Sequence, residues 1–567
     1  MDRSFCFDRN LLALSASDPE LCSRLSAAET TNGHYLFLES RSGETVPAMV
    51  DRIGKARPLH SLVDPRREGE RLVSTISGEG CLIFMGLGGA FHIEAALDRE
   101  DIQLILIIDY GIDGMAELLS SKEYIRIFND PRVRLCVDPD RESLRKYILE
   151  TYIPSFYGGI RTMPLRTRTD LDPRPFHEAG EGIKSAIDDI SGDYSVQAHF
   201  GKRWFSNIIR NIYCSTDKTG IIAPIRRAAV SAAGPSLEMQ LPLIEQRRSS
   251  FYLIAADTSL PVLLSAGIIP DAVISIDCQH ISYYHFMAGL PAHIPLFLDL
   301  ASPPLLASLT DKAVFFSGGH PLTRYISLAW RSFPVIDTSG ANVTYAAVSL
   351  AEALGAEEIE LFGADFSYPQ GQSYARGTYI HPFFQNRQDR LSPLEAAFSA
   401  FLFRSPSLEK KQVPPSWYYE TRSLSLYRHK LEAKAAAGQA RIIQHPGLGP
   451  GLKLGNEQEW KKGTGILPVF SAGKAAGSPK DFLRKYSEDI GALPAGGKAL
   501  IPYLSALSGA QYRVFTSLLP LAAALKKKEP GLAGADLLGE AKRTAVREIK
   551  EVLETPARLG RFRQKGN

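Results

Sequence analysis

Cysteine is sparse in this 567-residue sequence and unpatterned where it occurs: Cys6, Cys22, Cys81, Cys136, Cys214 and Cys278 show neither CxxC nor zinc-finger spacing. That excludes a disulfide framework and a structural zinc site. No stretch approaches the roughly 18 uncharged apolar residues that span a bilayer, so no membrane span is expected. The opening MDRSFCFDRNLLALSASDPE carries acidic residues and too short an apolar run for a secretory signal. A cytoplasmic chain is the expectation. An excess of one charge is also absent. Lys and Arg number 65 against 62 Asp and Glu, a net charge of +3, which argues against nucleic acid as a partner. Only the tail leans basic, at Arg558, Arg561, Arg563 and Lys565, and charged chain ends are ordinarily solvated.

What is present is globular. The hydrophobic share of 44% and charged share of 22% are ordinary for folded domains, and the length suggests about three or four of them. No internal repeat is visible. Residues 1 to about 75 are turn-rich, with one strand at Leu36–Ser40. CLIFMGLGGAFHIEAAL then reads as strand, glycine turn and helix, IQLILIIDYG as a buried strand reaching Asp109, and VRLCVDPD as a third strand. Near-continuous apolar strands alternating with helices predict a parallel, doubly wound sheet. Residues 152–215 lack that alternation. They read as a Pro/Gly-rich connector, a helix through GEGIKSAIDDI, and a second helical segment with Phe205, Ile208, Ile209 and Ile212 at helical spacing.

From about residue 222 to 390 the alternation returns, with strands at AAVSAAG, FYLIAAD, AVISID, PLFLDL, AVFFSG and EIELFGADF. Helices fill the gaps, and two of them end on Gly267 and Gly355. Beyond Leu391 the pattern is helical, apart from a Gly/Lys/Pro-rich stretch from Gly447 to Ser478. The last helix sets Val546, Ile549 and Leu553 on one stripe.

The strand at AVSAAGPSL stops on Gly234, Pro235 and Ser236. A strand ending so before a helix offers backbone N–H groups and the positive end of the helix dipole, a setting for phosphate. Gly234 admits close approach, and Pro235 wastes no donor in the first turn. Three other strands end in acids, Asp257, Asp277 and Asp365. In an open parallel sheet ligands gather at that edge, where carboxylates bind ribose or base or move protons. In the N-terminal unit, Gly86-x-Gly88-Gly89 with Asp109 some twenty residues on mimics a dinucleotide turn without its last glycine. It is read as a structural Rossmann-like turn.

AAGPSL, AGIIPDAVISID and TSGANVTYAAVSLAEALGAEEIELFGADFSYPQGQSY resemble the motility accessory factor (Maf) flagellin glycosyltransferases. The same segments are similar to bacterial sialyltransferases that use CMP-sugars. The specific likeness covers about residues 222–385, and a looser one to Maf proteins begins near residue 80, through MGLGGAFHIEAAL and FGKRWFSNIIRN. The resemblance implies a nucleotide at Gly234, Pro235 and Ser236, with ribose or base near Asp257 and Asp277. It places Thr338, Ser339 and Gly340 beside the cytidine, Tyr368 and Tyr374 at the donor phosphate, and His381 as catalytic histidine. Asp257 and Asp277 stand where the sialyltransferases carry asparagine. His320 and Asp365 compete with His381 as base.

The implied fold is α/β. Residues 1–165 form an N-terminal α/β domain, 166–218 a helical connector, 219–395 a central Rossmann-like glycosyltransferase domain, and 396–567 a mostly helical region. The implied activity moves a nonulosonic-acid-type sugar from a CMP donor to Ser or Thr of flagellin. No obligatory cofactor and no metal site is expected, although Mg²⁺ is allowed. The partners are the nucleotide-sugar donor and flagellin. Two rivals stand beside it: a pterin pyrophosphokinase using ATP with Mg²⁺ on Asp257, Asp277 and Asp365, and a flagellin-binding factor without catalysis.

Overall fold

Runs of buried Leu, Ile, Val and Phe set the sheets of this chain. The structure, a computed structural model, describes residues 3–28, 33–215, 222–413, 416–438, 440–454, 470–497 and 499–555. The basic tail at Arg558–Lys565 lies outside them, as do residues 455–469 of the stretch expected as a loop between Gly447 and Ser478. The chain divides into two compact units instead of four segments. The first comprises Met1–Gly201, Leu493–Tyr512 and Leu519–Arg543; the second comprises Lys202–Ala492, Arg513–Leu518 and Thr544–Asn567.

In the first unit, β1 (Leu36–Glu39), β2 (Thr45–Val50) and β3 (Ala56–Pro58) form an antiparallel sheet. The strands β4 (Glu79–Met85), β5 (Leu104–Asp109), β6 (Val133–Val137) and β7 (Gly159–Pro164) form a parallel sheet in the order β6-β5-β4-β7. Both faces of β4 and β5 are covered. Leu82, Phe84, Ile105 and Ile107 pack into one core, while Cys81, Ile83, Leu104, Leu106 and Ile108 pack into another. That two-sided burial is why the strands read as unbroken apolar runs. β7 corrects the expected connector. Its sequence, GIRTMP, carries Arg161 and Pro164 and buries only Met163, so it lacks the apolar signature.

The glycine turn after β4 is filled by its own chain. Asp109 accepts the N–H of Leu87 at 2.8 Å and of Tyr110 at 2.8 Å, and pairs with Arg168 at 3.0 Å; both partners of that ion pair are buried. His60 Nε2 accepts the Gly89 N–H at 3.0 Å, and Tyr124 Oη donates to the Gly88 carbonyl at 2.9 Å. A Cβ on Gly88 would lie 2.7 Å from Leu165 and 2.8 Å from His60. The acid that would hold a ribose instead orders the turn.

The second unit holds a seven-stranded sheet of β8 (Arg227–Ser231), β9 (Tyr252–Ala256), β10 (Ala272–Ser275), β11 (Leu296–Asp299), β12 (Ala313–Phe316), β13 (Glu358–Phe362) and β17 (Arg441–Gln444). All pairs are parallel, in the order β12-β11-β10-β9-β8-β13-β17. Six of these strands were expected. β17 was not, because an edge strand reading RIIQ needs only one apolar face. Between β13 and β17 lie β14 (Tyr368–Pro369), β15 (Glu409–Val413) and β16 (Ser416–Glu420), an antiparallel set in the order β14-β16-β15, of which β15 and β16 fall within residues expected to be helical.

One helix, Pro173–Cys214, replaces the two expected segments, and Phe205, Ile208, Ile209 and Ile212 are buried on it as their spacing requires. Among the described residues after 478 every element is a helix. In the last helix, Gly534–Glu554, the buried stripe runs through Ala541, Ala545, Ile549 and Val552, with Val546 and Leu553 at its half-buried margin.

Asp109→Ala should leave the buried Arg168 guanidinium with only the partly exposed Asp172, 3.6 Å away, as an ionic partner, at a cost of up to about 3–5 kcal/mol in urea unfolding. Nucleotide binding should be unchanged wherever the variant remains folded. Wild-type stability with lost nucleotide binding would make the turn a ligand site after all.

Candidate functional site

From β8 the chain winds outward through β9 to β12, then returns to place β13 on the other flank of β8. That reversal is a topological switch point, and ligands gather beyond the strand carboxyl ends near such points. The Gly234–Ser236 turn lies there. It is closed by its own chain. The Gly234 N–H donates to the Gly363 carbonyl at 2.9 Å, and the Ser236 N–H donates to the Asp365 carboxylate at 2.8 Å. The Ser236 hydroxyl makes a short bond to the other oxygen of Asp365, accepts the Leu448 N–H at 2.6 Å, and so joins the loop after β17. The Gly449 N–H reaches Asp365 at 3.2 Å.

Glycine is required here by crowding. A Cβ on Gly234 would collide with Asp365, and one on Gly447 would come within 2.5 Å of the Ser236 hydroxyl. The expected phosphate nest is therefore corrected: the helix that starts at Ser236 takes a carboxylate of this chain as its anion. Of the N–H groups at Ala233, Gly234 and Ser236, that of Ala233 has no partner among the described residues. Asp365 is also corrected as a candidate base, since both its oxygens are engaged. Burial raises its pKa against the bonds from Ser236 and Gly449.

Asp257 and Asp277 come together. Asp257, at the end of β9, accepts the Ser275 hydroxyl at 2.6 Å and the Thr258 N–H at 2.7 Å. Asp277, half-buried after β10, accepts the Gln279 N–H at 2.9 Å. Its pKa is raised by burial, with the nearby Asp257 charge adding to the shift. A third acid, Asp299 at the end of β11, went unrecognised, although PLFLDL carries the same strand-end signal. It is buried and accepts the Ala301 N–H at 2.7 Å, and burial pushes its pKa up to about 6 against bonds from Ala301 and Gly318. Thr338 donates to the Gly318 carbonyl at 3.3 Å, which sets Thr338–Gly340 beside Asp299. Ser339 is exposed, its N–H donates to Asp337 at 2.9 Å, and Gly340 lies against the Tyr345 ring, where a side chain would not fit.

The loop after β13 covers this edge. The Ala375 N–H donates to the Ala233 carbonyl at 3.0 Å, anchoring Tyr374 beside the glycine turn. Burial raises the Tyr374 hydroxyl; the neighbouring Tyr379 and Tyr368 and the Asp257 charge push the same way, and Arg404 opposes them. Tyr379, also unrecognised in the sequence, is raised by burial and feels Arg404, Asp257 and Asp277. Tyr374, Tyr379, Asp257 and Asp277 thus share one neighbourhood. Tyr368 sits in β14 opposite Tyr419.

His381 lies on the helix Ile380–Gln385, with its ring 4.8 Å from Phe398 and its Nε2 buried without a partner among the described residues. Burial lowers its pKa, opposed by a bond to the Tyr374 backbone, so the imidazole is neutral near pH 7 and able to accept a proton. His320 is corrected as its competitor. Its Nδ1 caps a helix by accepting the Leu322 N–H at 3.1 Å, its ring packs on Trp204 at 5.1 Å, and burial drives its pKa down to about 3.

Asn207 and Asn211 carry a further role that their sequence did not disclose. The Asn207 amide donates to the Cys278 and Ala301 carbonyls at 3.0 and 2.8 Å, and that of Asn211 to Leu300 and Ser302 at 2.8 and 2.7 Å. One helix face thereby ties down the loops that follow Asp277 and Asp299. The signal was a pair of asparagines four apart on an otherwise apolar helix face. Among the described residues no three His, Cys, Asp or Glu side chains converge as a metal site, and Asp365 is turned away onto Ser236.

Residues 206–371 match the family model described as 6-hydroxymethylpterin diphosphokinase MptE-like. Uncharacterized proteins of Treponema pallidum (strain Nichols) are similar to the chain. One is 36% identical over 127 residues, 22% of this chain and 45% of the relative, so the chain spans less than half of that protein. Another is 34% identical over 152 residues, 26% of this chain and 72% of the relative. Among solved structures, the Maf glycosyltransferase from Magnetospirillum magneticum AMB-1 superposes with a TM-score of 0.60 at 14% identity, over 97% of this chain and 95% of that one. The two share a fold.

Gly234→Val should cost about 1–3 kcal/mol or more in unfolding, because the new side chain must displace the buried Asp365 carboxylate. Wild-type melting would show that the turn has room. Asp299 sets a pH dependence. Its pKa is raised in the folded state, so the stability it adds is full below the unfolded value and is lost as pH rises through about 6. A shift of this size corresponds to roughly 3 kcal/mol. Urea unfolding between about pH 4 and about pH 7 should show wild type losing that much relative to Asp299→Asn. Parallel curves would remove Asp299 as the titrating group.

Proposed function

We propose that this chain, which belongs to one family with the treponemal protein it matches over 72% of that protein's length and has the Maf glycosyltransferase fold, is itself a glycosyltransferase. Its donor is a CMP-activated, nonulosonic-acid-type sugar, and its acceptors are Ser or Thr hydroxyls of flagellin. The observation that carries this reading is the loop after β13, which sets Tyr374 and Tyr379 in one neighbourhood with Asp257 and Asp277 at the strand ends. Carboxylates there accept bonds from ribose hydroxyls. Tyrosine hydroxyls supply donors to a leaving phosphate.

In the transfer, the acceptor hydroxyl forms a bond to the anomeric carbon while the bond from that carbon to the phosphate oxygen breaks. The electron pair leaves with CMP, whose phosphate gains charge, so donors that meet it there lower the barrier. The proton of the acceptor goes to a general base. His381, neutral and with a free Nε2, suits that task.

A second reading has one observation in its favour, the match of residues 206–371 to the MptE-like family. That activity moves diphosphate from ATP to a hydroxymethylpterin and depends on Mg²⁺ held by oxygen ligands. A thermal-shift screen separates the two. Stabilisation by CMP alone supports the glycosyltransferase, and stabilisation by ATP only with Mg²⁺ supports the pyrophosphokinase.

Tyr368→Phe and Tyr374→Phe should each lower turnover about a hundredfold to a thousandfold with little change in donor affinity. His381→Ala should remove one limb of the pH–rate profile. The assay is the intact mass of flagellin co-expressed with the sugar pathway. Full modification by all three variants would reduce this loop to scaffold.

A further inference from the structure

An anionic donor entering this edge of the sheet meets Asp257, Asp277 and Asp299, and the turn expected to offset its charge already holds Asp365. A cation is needed elsewhere. Arg404 follows the helix Leu394–Phe403, and its guanidinium lies 4.0 Å over the Phe401 ring. Tyr374 packs on the same ring, with centroids 6.2 Å apart. Arg404 is exposed and makes no hydrogen bond or ion pair with any described residue. Its charge nevertheless reaches Tyr368, Tyr374 and Tyr379.

Two further features belong to the same loop. Ser367 and Ser373, each preceding one of the paired tyrosines, are buried with hydroxyls that find no partner among the described residues. A buried unpaired hydroxyl is costly and calls for a missing partner. The Ala233 N–H, also without a partner among the described residues, lies one residue from Gly234, and its own residue's carbonyl receives the Ala375 N–H.

We propose that Arg404, stacked beside Tyr374, forms with the Ser373 hydroxyl the binding site for the anionic group of the donor. This rests on the reading above only in requiring an anionic ligand. The group is a phosphate or a sugar carboxylate, and both match the planar donor fork of arginine. Stacking on Phe401 holds that fork in place before the ligand arrives, which lowers the entropy lost on binding.

Calorimetry on the full chain tests this with cytidine, CMP, CMP-N-acetylneuraminate, UDP and inorganic pyrophosphate. Arg404→Ala should weaken CMP about tenfold to a hundredfold and leave cytidine unchanged if phosphate is held. If the carboxylate is held, CMP stays constant and CMP-N-acetylneuraminate weakens by the same factor. Arg404→Gln, which keeps the stem packed on Phe401, should repeat the loss, and Arg404→Lys should recover part of it. A wild-type chain that binds UDP or pyrophosphate but not CMP ends the CMP reading, and loss of that binding in Arg404→Ala still supports the site. Affinities in Arg404→Ala within about twofold of wild type for every anion overturn the proposal. So does a wild-type chain that binds none of them.

Discussion

The contact between Asp365 and Ser236 is the constraint on which the central sheet edge depends. One carboxylate accepts the N–H and the hydroxyl of Ser236 and the N–H of Gly449. It thereby joins the turn after β8, the end of β13 and the loop after β17. Three backbones approach so closely that Gly234, Gly363, Gly447 and Gly449 leave no room for a Cβ. The negative charge sits at the positive end of a helix and is worth most where water is excluded. Remove it, and three segments lose a shared partner together.

With that turn closed, the site we propose lies toward β9 and β10. The acids there differ in what their own chain asks of them. Asp257 and Asp365 use both oxygens internally, whereas Asp277 accepts from Gln279 and is half-buried. Asp299 is pushed by burial to about 6, which makes its charge sensitive to what enters. The acids crowd together because Asn207 and Asn211 hold the following loops by their carbonyls. Such clamps orient without touching a ligand.

Much of the fold was legible because strands buried on both faces carry a dense apolar code, as LILIID of β5 does. Strands that escaped reading, among them β2, β3, β7, β17 and the β15–β16 pair, are short, at a sheet edge or partly exposed, so their polar residues hide the period. The long helix was split in reading because Gly180, Gly182, Gly192 and Gly201 interrupt its pattern; Gly201 sits where a Cβ would strike the Pro520 carbonyl. At the site, Asp257, Asp277 and Tyr374 were legible as strand-end and loop residues. Asp299, Tyr379 and Arg404 were not singled out. Their roles come from which loops the tertiary structure brings side by side, and no spacing along the chain records that.

The two glycine turns of the chain show why such motifs mislead. After β4, Asp109 at the end of the adjacent β5 accepts the Leu87 N–H. After β8, Asp365 beyond the end of the adjacent β13 accepts the Ser236 N–H. In both, a glycine-rich strand-to-helix turn is capped by a carboxylate from the neighbouring strand. A nucleotide fingerprint has the same written form, a glycine turn followed by a strand-end acid. The physical difference is whether the acid meets the turn's own N–H groups or faces away from them. Where it meets them, the helix end already has its anion and a phosphate would have to displace a buried charge. Asp257 and Asp277 make no bond to the Gly234–Ser236 turn. The strand ends that carry those two acids are therefore where we place the ligand.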